Sequence, residues 1–305
     1  VNTNQDMYLL FHTQGVNSAY EKVNTYLDLV KIDVKNDMLN SVSSISCNND
    51  TVLGAIIAEA YNKVGKDGVV LMEESETNDT YVDIVNGVQI ECGLTSPHFV
   101  TDNDKQRAIL DNPLVLIVAS EIPNIRKIQK VLEFAIKNNK SLLIVAPVAQ
   151  QVKAALLMNK VKGNIKVNIV DLPGFGPTKQ DTVKDLAILT NATVINEELG
   201  DDLDAISLDM LGEVEKTVTD AKNTVITTFE NSENVDQRIK EVQKLHKKEK
   251  NPFLKKKIEQ RIAMLSGSVG IIRVGADSKV ELKEKKDRVE DAIYATKAAL
   301  KEGIV

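Results

Sequence analysis

The chain has 305 residues, 43% of them hydrophobic, with 44 acidic side chains against 38 Lys and Arg for a net charge of -6. Its size and apolar content exclude a disordered chain and call for more than one compact unit, while the acidic balance argues against a nucleic-acid binder, which needs clustered positive charge. Two cysteines, Cys47 and Cys92, and three histidines, none at metal-ligand spacing, exclude a disulfide framework and a zinc site and indicate a reducing compartment.

The opening VNTNQDMYLLFHTQG starts without Met and lacks the basic-then-apolar order of a secretory signal, so the chain reads as a piece of a longer protein with any targeting segment upstream. From Val16 to Val30, the residues Val16, Ala19, Tyr20, Val23, Leu27 and Val30 keep helical spacing. A second helix spans Asp50 to Val64, capped by Asn49 or Asp50 and ended by Gly65. The period then changes: VVLMEE and YVDIVNGVQIE read as strands, with Gly87 marking a bend or a close backbone approach in the second. From Pro113 the apolar runs PLVLIVA, SLLIVA, IKVNIV and ATVIN alternate with helical patterns, the signature of βαβ units around a buried parallel sheet. Strands return around VEKTVTD and NTVITTF. Two helices follow, Val235 to Lys248 and Pro252 to Leu265, jointed at Asn251-Pro252 because proline disfavours helix at the residue before it. The lysines from Lys244 to Lys257 alternate with Glu and read as a solvated helix face. No apolar run approaches the roughly 20 residues that cross a bilayer.

The strand VGIIRVG and an amphipathic helix close the chain. In that helix Val289, Ile293, Thr296 and Leu300 form the apolar stripe, and Gly303 stands where a cap with positive φ falls. The outer segments, 1–86 and 268–305, are helix-rich and flank a complete α/β unit. If they pack together, the middle is an inserted domain entered near Gly87 and left near Gly267, and glycines at both crossings, with Ser268 beside the second, suit a hinge. Ordinary turn glycines are the alternative.

Catalytic signals are thin. The loop Pro173 to Gly176 follows a strand and precedes a helix, so it is open to reading as a phosphate cradle or as a structural turn, with no complete glycine fingerprint to support the former. His12, His98 and His246 lie in different elements, and no Ser or Cys sits in a nucleophile-elbow setting. The helix Val148 to Val161 is more informative. Val152, Ala155 and Leu156 share one side and Ala154, Leu157, Met158 and Val161 the other, so a second apolar face is either buried or in need of a partner.

Five stretches in order, IIAEAYNKVGKDGVV (56–70), GLTSPHF (93–99), PGFG (173–176), LTNATVINEELG (189–200) and VELKEKKDRVEDA (280–292), resemble the group I chaperonins, the GroEL-like family. The resemblance runs from about Gly15 to Val305. It implies a three-layer apical domain with a parallel-sheet core (87–267), inserted into a smaller α+β intermediate domain (37–86 and 268–305), with a remnant equatorial helix at 1–36.

It also implies an ATP-dependent protein-folding subunit. Unfolded polypeptides and a heptameric co-chaperonin would compete for an apical groove, carried here by Leu94, His98, Phe99, Gln129, Leu132, Lys153, Leu157 and Met158. His98, Gln129 and Lys153 are polar where the family prefers apolar or aromatic residues, and Leu94 replaces an aromatic. Asp291 in RVEDA matches the aspartate that orients the attacking water and coordinates metal, and Ile45 matches a position lining the nucleotide pocket. Gly87, Gly267, Ser268 and Gly303 are the implied hinge positions. ATP and Mg would be the cofactors of the intact parent; its glycine-rich phosphate loops are expected outside this sequence, so the chain alone is expected neither to bind ATP nor to form the seven-membered ring. Cys92 and Lys279 replace an arginine and glutamate that pair between subunits in many bacterial members. The wording around LTNATVI and FVTD is closer to plastid than to bacterial members, placing the protein in an organelle or a bacterial cytoplasm. The rival reading is a small-molecule α/β enzyme using the Pro173–Gly176 loop.

Overall fold

The structure is a computed structural model describing residues 3–65, 68–174, 176–229, 233–249 and 251–305. Its contacts divide the chain into two units, residues 1–83 with 271–305 and residues 84–270. The sequence pattern places such crossings near Gly87 and Gly267; the observed passages fall at Asp83/Ile84 and Gly270/Ile271, both inside strands.

The first unit opens with α1 (Thr3–Val30), longer than the stripe from Val16 indicates, and α2 (Leu39–Ser46), whose polar LNSVSSIS gives little periodic signal. In α3 (Thr51–Val64), Asp50 is the cap, its carboxylate accepting from the backbone N–H groups of Val52 at 3.1 Å and Leu53 at 3.0 Å, and Gly65 ends the helix at φ +82°. Strand β1 (Val69–Glu74) follows, and β2 (Tyr81–Ile90) carries the chain into the second unit.

Gly87 does not break β2. Its strand pairs antiparallel with β10 (Thr224–Thr227), and a Cβ at Gly87 would stand 2.7 Å from both the Ile226 carbonyl oxygen and Val269 Cγ2, so close approach is what requires glycine there. In order along the second unit come β3 (Ala108–Asp111), β4 (Leu114–Val118), α4 (Gln129–Lys137), β5 (Leu142–Val145), α5 (Gln150–Val161), β6 (Val167–Val170), α6 (Gly176–Thr190), β7 (Val194–Ile195), β8 (Gly212–Glu213), β9 (Lys216–Thr219) and β10 (Thr224–Thr227). The helices α7 (Glu233–Lys248) and α8 (Pro252–Leu265) complete it.

Strands β6, β5, β4 and β7 form a parallel sheet with β8 added antiparallel to β4. The chain steps from β4 to β5 to β6 in one direction, so right-handed crossovers put α4 and α5 on one face; the return to β7 puts α6 on the other. Alternation along the strands confirms it. Leu116, Ile144 and Ile169 join Val131 and Ala135 of α4 and Val152 and Leu156 of α5 in one core, whereas Val115 and Leu143 join Val183 and Leu186 of α6 in a second. The second core is shared with Val88, Ile90, Leu110 and Ile226 from the antiparallel strands β2, β3 and β10.

Strand β11 (Ser268–Val274) leads back to the first unit, where it neighbours β1, and α9 (Lys279–Glu302) ends the chain's helices. Val289, Ile293 and Thr296 of α9 are buried as the stripe requires. Tyr61 O–H donates to the Ile293 carbonyl at 2.9 Å, and the Ser43 and Thr296 hydroxyls meet at 3.3 Å, tying α2 and α3 to α9. Gly303 caps α9 at φ +89°, next to the Ile32–Ile304 bridge. No helix among the described residues is long and apolar enough to cross a membrane.

Candidate functional site

The eight candidate groove residues all lie in the second unit, on or beside the α4/α5 face. The segment before Phe99 is pinned from several sides. Gly93 passes the Ala221 carbonyl so closely that a Cβ would stand 2.2 Å from its oxygen, Leu94 N–H donates to the Asp220 carbonyl at 2.9 Å, and Thr95 Oγ1 donates to the Ile169 carbonyl of β6 at 3.1 Å. A short turn, Pro97–Phe99, then drops the Phe99 ring into the core beneath α4 and α5, where it is fully buried. Phe99 therefore supports this surface from below, because a ring already covered on all sides has no face left for a ligand.

Leu94, Leu132 and Leu157 are half-buried and pack on that same core. Met158, 60% exposed, and Val161, 78% exposed, project from the outer side of α5, while Val152 and Leu156 of the same helix are buried. The second apolar face legible in the sequence is thus open in the second unit. His98 and Gln129 are exposed; the Gln129 side-chain amide donates to Glu133 Oε1 at 2.7 Å. Lys153 Nζ donates to the Thr95 carbonyl at 3.3 Å. Lys160, which the sequence did not single out, donates through Nζ to the carbonyls of His98 at 2.8 Å and Val100 at 2.7 Å, and burial pushes its pKa down. Its position seven residues after Lys153 was the one signal available.

Asp291 belongs to the first unit and lines a cavity of about 580 Å³. The same walls carry Ser46, Asn48, Lys283, Glu284 and Arg288. Arg288 is held by Glu284 through Nε at 3.1 Å and Nη2 at 2.6 Å, and by Asp50 through Nη1 at 3.3 Å. Ile45 is 70% exposed on α2, one residue from Ser46. No group of three or more His, Cys, Asp or Glu among the described residues is placed to hold a metal ion.

Gly87 and Gly267 approach each other, a Cβ on Gly267 standing 2.9 Å from the Gly87 carbonyl oxygen, with Ser268 starting β11 beside them. In the Pro173–Gly176 loop Phe175 lies outside the described residues; Gly174 and Gly176 have φ of +106° and +61°, and the nearby Lys179 is paired with Asp171 at 2.9 Å. His98 is in the second unit's turn, His246 pairs with Glu259 at 2.8 Å across α7 and α8, and His12 falls on α1 of the first unit.

The second unit is thus an α/β unit with an exposed apolar helix face, joined through two strands to a unit with a charged cavity. A family model described as the TCP-1/cpn60 chaperonin family matches residues 13–305. The chain belongs to that family, and its function is of the chaperonin protein-folding type. Ring assembly and the binding of unfolded substrates are general to such proteins.

Proposed function

We propose that this chain is the client-capturing and motion-transmitting part of a group I chaperonin subunit of organellar, plastid-type or bacterial origin. The second unit acts as the apical domain, the bulk of the first as the intermediate domain, and α1 as an equatorial element. The observation that carries the reading is α5: a helix packed on a finished core through Val152 and Leu156 that leaves Met158 and Val161 in water. Covering each such side chain contributes roughly 1.5–3 kcal/mol at most. One groove therefore binds weakly, and seven in a ring bind strongly through avidity. Leu94, Leu132, Leu157 and Met158 make the apolar floor for an unfolded polypeptide or the heptameric co-chaperonin, with His98, Gln129 and Lys153 at its polar margin.

In the intact subunit, Gly87, Gly267, Ser268 and Gly303 would take up the hinge motion for which bound ATP and Mg would supply the free energy. The donor set fits these groups in part: Asp291 offers a hard carboxylate ligand at a cavity that also holds lysines suited to phosphate. Asp291 would position a water there, with Ile45 at the pocket margin. The test is suppression of aggregation of an unrelated, chemically denatured reporter by the 305-residue chain, beside a Met158→Glu, Val161→Glu double variant. Both positions are exposed, so the variant should fold; suppression that it loses supports the groove, and equal suppression by both places client binding elsewhere.

A further inference from the structure

The apolar groove leaves two ammonium groups unexplained. Lys153 and Lys160 are seven residues apart on α5, about two turns, so they share one side of the helix. Three hydrogen bonds tie them to the backbone carbonyls of Thr95, His98 and Val100. An ammonium has three donors. Lys160 therefore keeps one to spare and Lys153 two, and neither has a carboxylate at ion-pair distance among the described residues.

The charge around them points the same way. Across α4, α5 and residues 94–100 there are four lysines, Lys130, Lys137, Lys153 and Lys160, against one carboxylate, Glu133, which already accepts from Gln129. This surface is cationic in a chain whose net charge is -6. Half-buried ammonium groups whose protein partners are carbonyls alone meet no neutralising charge, and an incoming carboxylate completes them with charge-assisted hydrogen bonds.

We propose that the groove selects polypeptide segments in which an apolar side chain lies next to Asp or Glu, the apolar group covering Leu157 and Met158 while the carboxylate meets Lys160 and Lys153. This rests on the groove reading above and adds charge selection to it. Lys160 has a second role in the same picture as a positioning residue, holding the 98–100 backbone against α5.

Three labelled peptides with one apolar core, flanked by Glu, Gln or Lys, test the proposal by fluorescence anisotropy against the full chain. The Glu peptide should bind about fivefold more tightly than the Lys peptide at low salt, as expected for two incompletely buried ion pairs. The gap should close near 1 M salt, where charges are screened within about 3 Å. Lys153→Met with Lys160→Met should bring the Glu and Lys peptides to equal affinity, and Lys160→Arg should retain the preference. Equal binding of Glu and Lys peptides, with the Gln peptide bound, overturns the selection and leaves the groove standing. A double Met variant that still prefers the Glu peptide over the Lys peptide also overturns it, because the selection then lies outside these two lysines. If none of the three peptides binds and Met158→Glu, Val161→Glu still suppresses aggregation, the groove reading falls and the selection with it.

Discussion

The two faces of the parallel sheet are finished differently. On one, α6 and the antiparallel strands cover the sheet, and α6 is tied outward to α7 and α8 through Asp185, whose fully buried carboxylate accepts from Arg238 Nε at 2.8 Å and from Arg261 Nε at 2.6 Å. Arg261 also reaches Asp181 at 2.7 Å. On the other face, α4 and α5 close the core and, among the described residues, carry no further helix layer, and apolar side chains stand in water. The same alternating strands feed both. What differs is whether the outer side of the covering helices offers a buried charge that demands partners or an apolar row that leaves a surface free for them.

The largest test of this contrast breaks the closed side. Asp185→Ala would leave the buried Arg261 guanidinium facing only Asp181, and removing one partner of a buried ion cluster costs about 3–5 kcal/mol. A urea titration followed by circular dichroism should show the loss directly. A shift below about 1 kcal/mol would mean that water already reaches these charges and that α6, α7 and α8 are not locked.

Within the open side, α5 supplies its own internal comparison. Leu156→Ala should cost about 2–4 kcal/mol, because the residue is buried in the core between α5 and the sheet. Met158→Ala, two residues on, should stay within about 0.5 kcal/mol while weakening client binding. Similar melting shifts for the two variants would show that a partner covers α5 in solution.

How far this arrangement was legible depended on the kind of signal each part carries. The runs PLVLIVA, SLLIVA and IKVNIV announced β4, β5 and β6 because strands buried on both faces must be apolar throughout, and Asn251-Pro252 announced the α7/α8 joint. Strand β3 and helix α2 were missed, being short and, for α2, mostly serine and asparagine; tertiary contacts such as Ser43 with Thr296 hold α2 where periodicity does not. In the candidate site, Leu157 and Met158 were readable as a second face of α5 from spacing. The burial of Phe99, the carbonyl contacts of Lys160 and the Asp185 cluster were not, since each joins residues dozens of positions apart and leaves no local period.

The smallest effect concerns the cysteines and appears only in alkali. Burial pushes the Cys92 thiol up to about 11, opposed by its hydrogen bond with Thr224, and burial followed by the nearby Asp50 charge pushes Cys47 up to about 11. An unfolded thiol ionises near its ordinary value of about 8.5. Below that pH both states hold the proton and the native advantage is complete; between about 8.5 and 11 the unfolded chain releases it while the native one does not, so stability falls as pH rises. Other groups titrate in this range, so the measurement is the difference in urea midpoint between the chain and a Cys47→Ala, Cys92→Ala variant, which should be constant from pH 6 to about 8 and narrow above it. Cys92 sits in the core on the closed side of the sheet, and this makes alkylation a local probe of the opening comparison. Iodoacetamide at pH 8 should leave Cys92 unmodified by mass spectrometry in the native protein and modify it fully in urea; adducts forming on Cys92 at the denatured rate would mean that the closed face opens as readily as the open one.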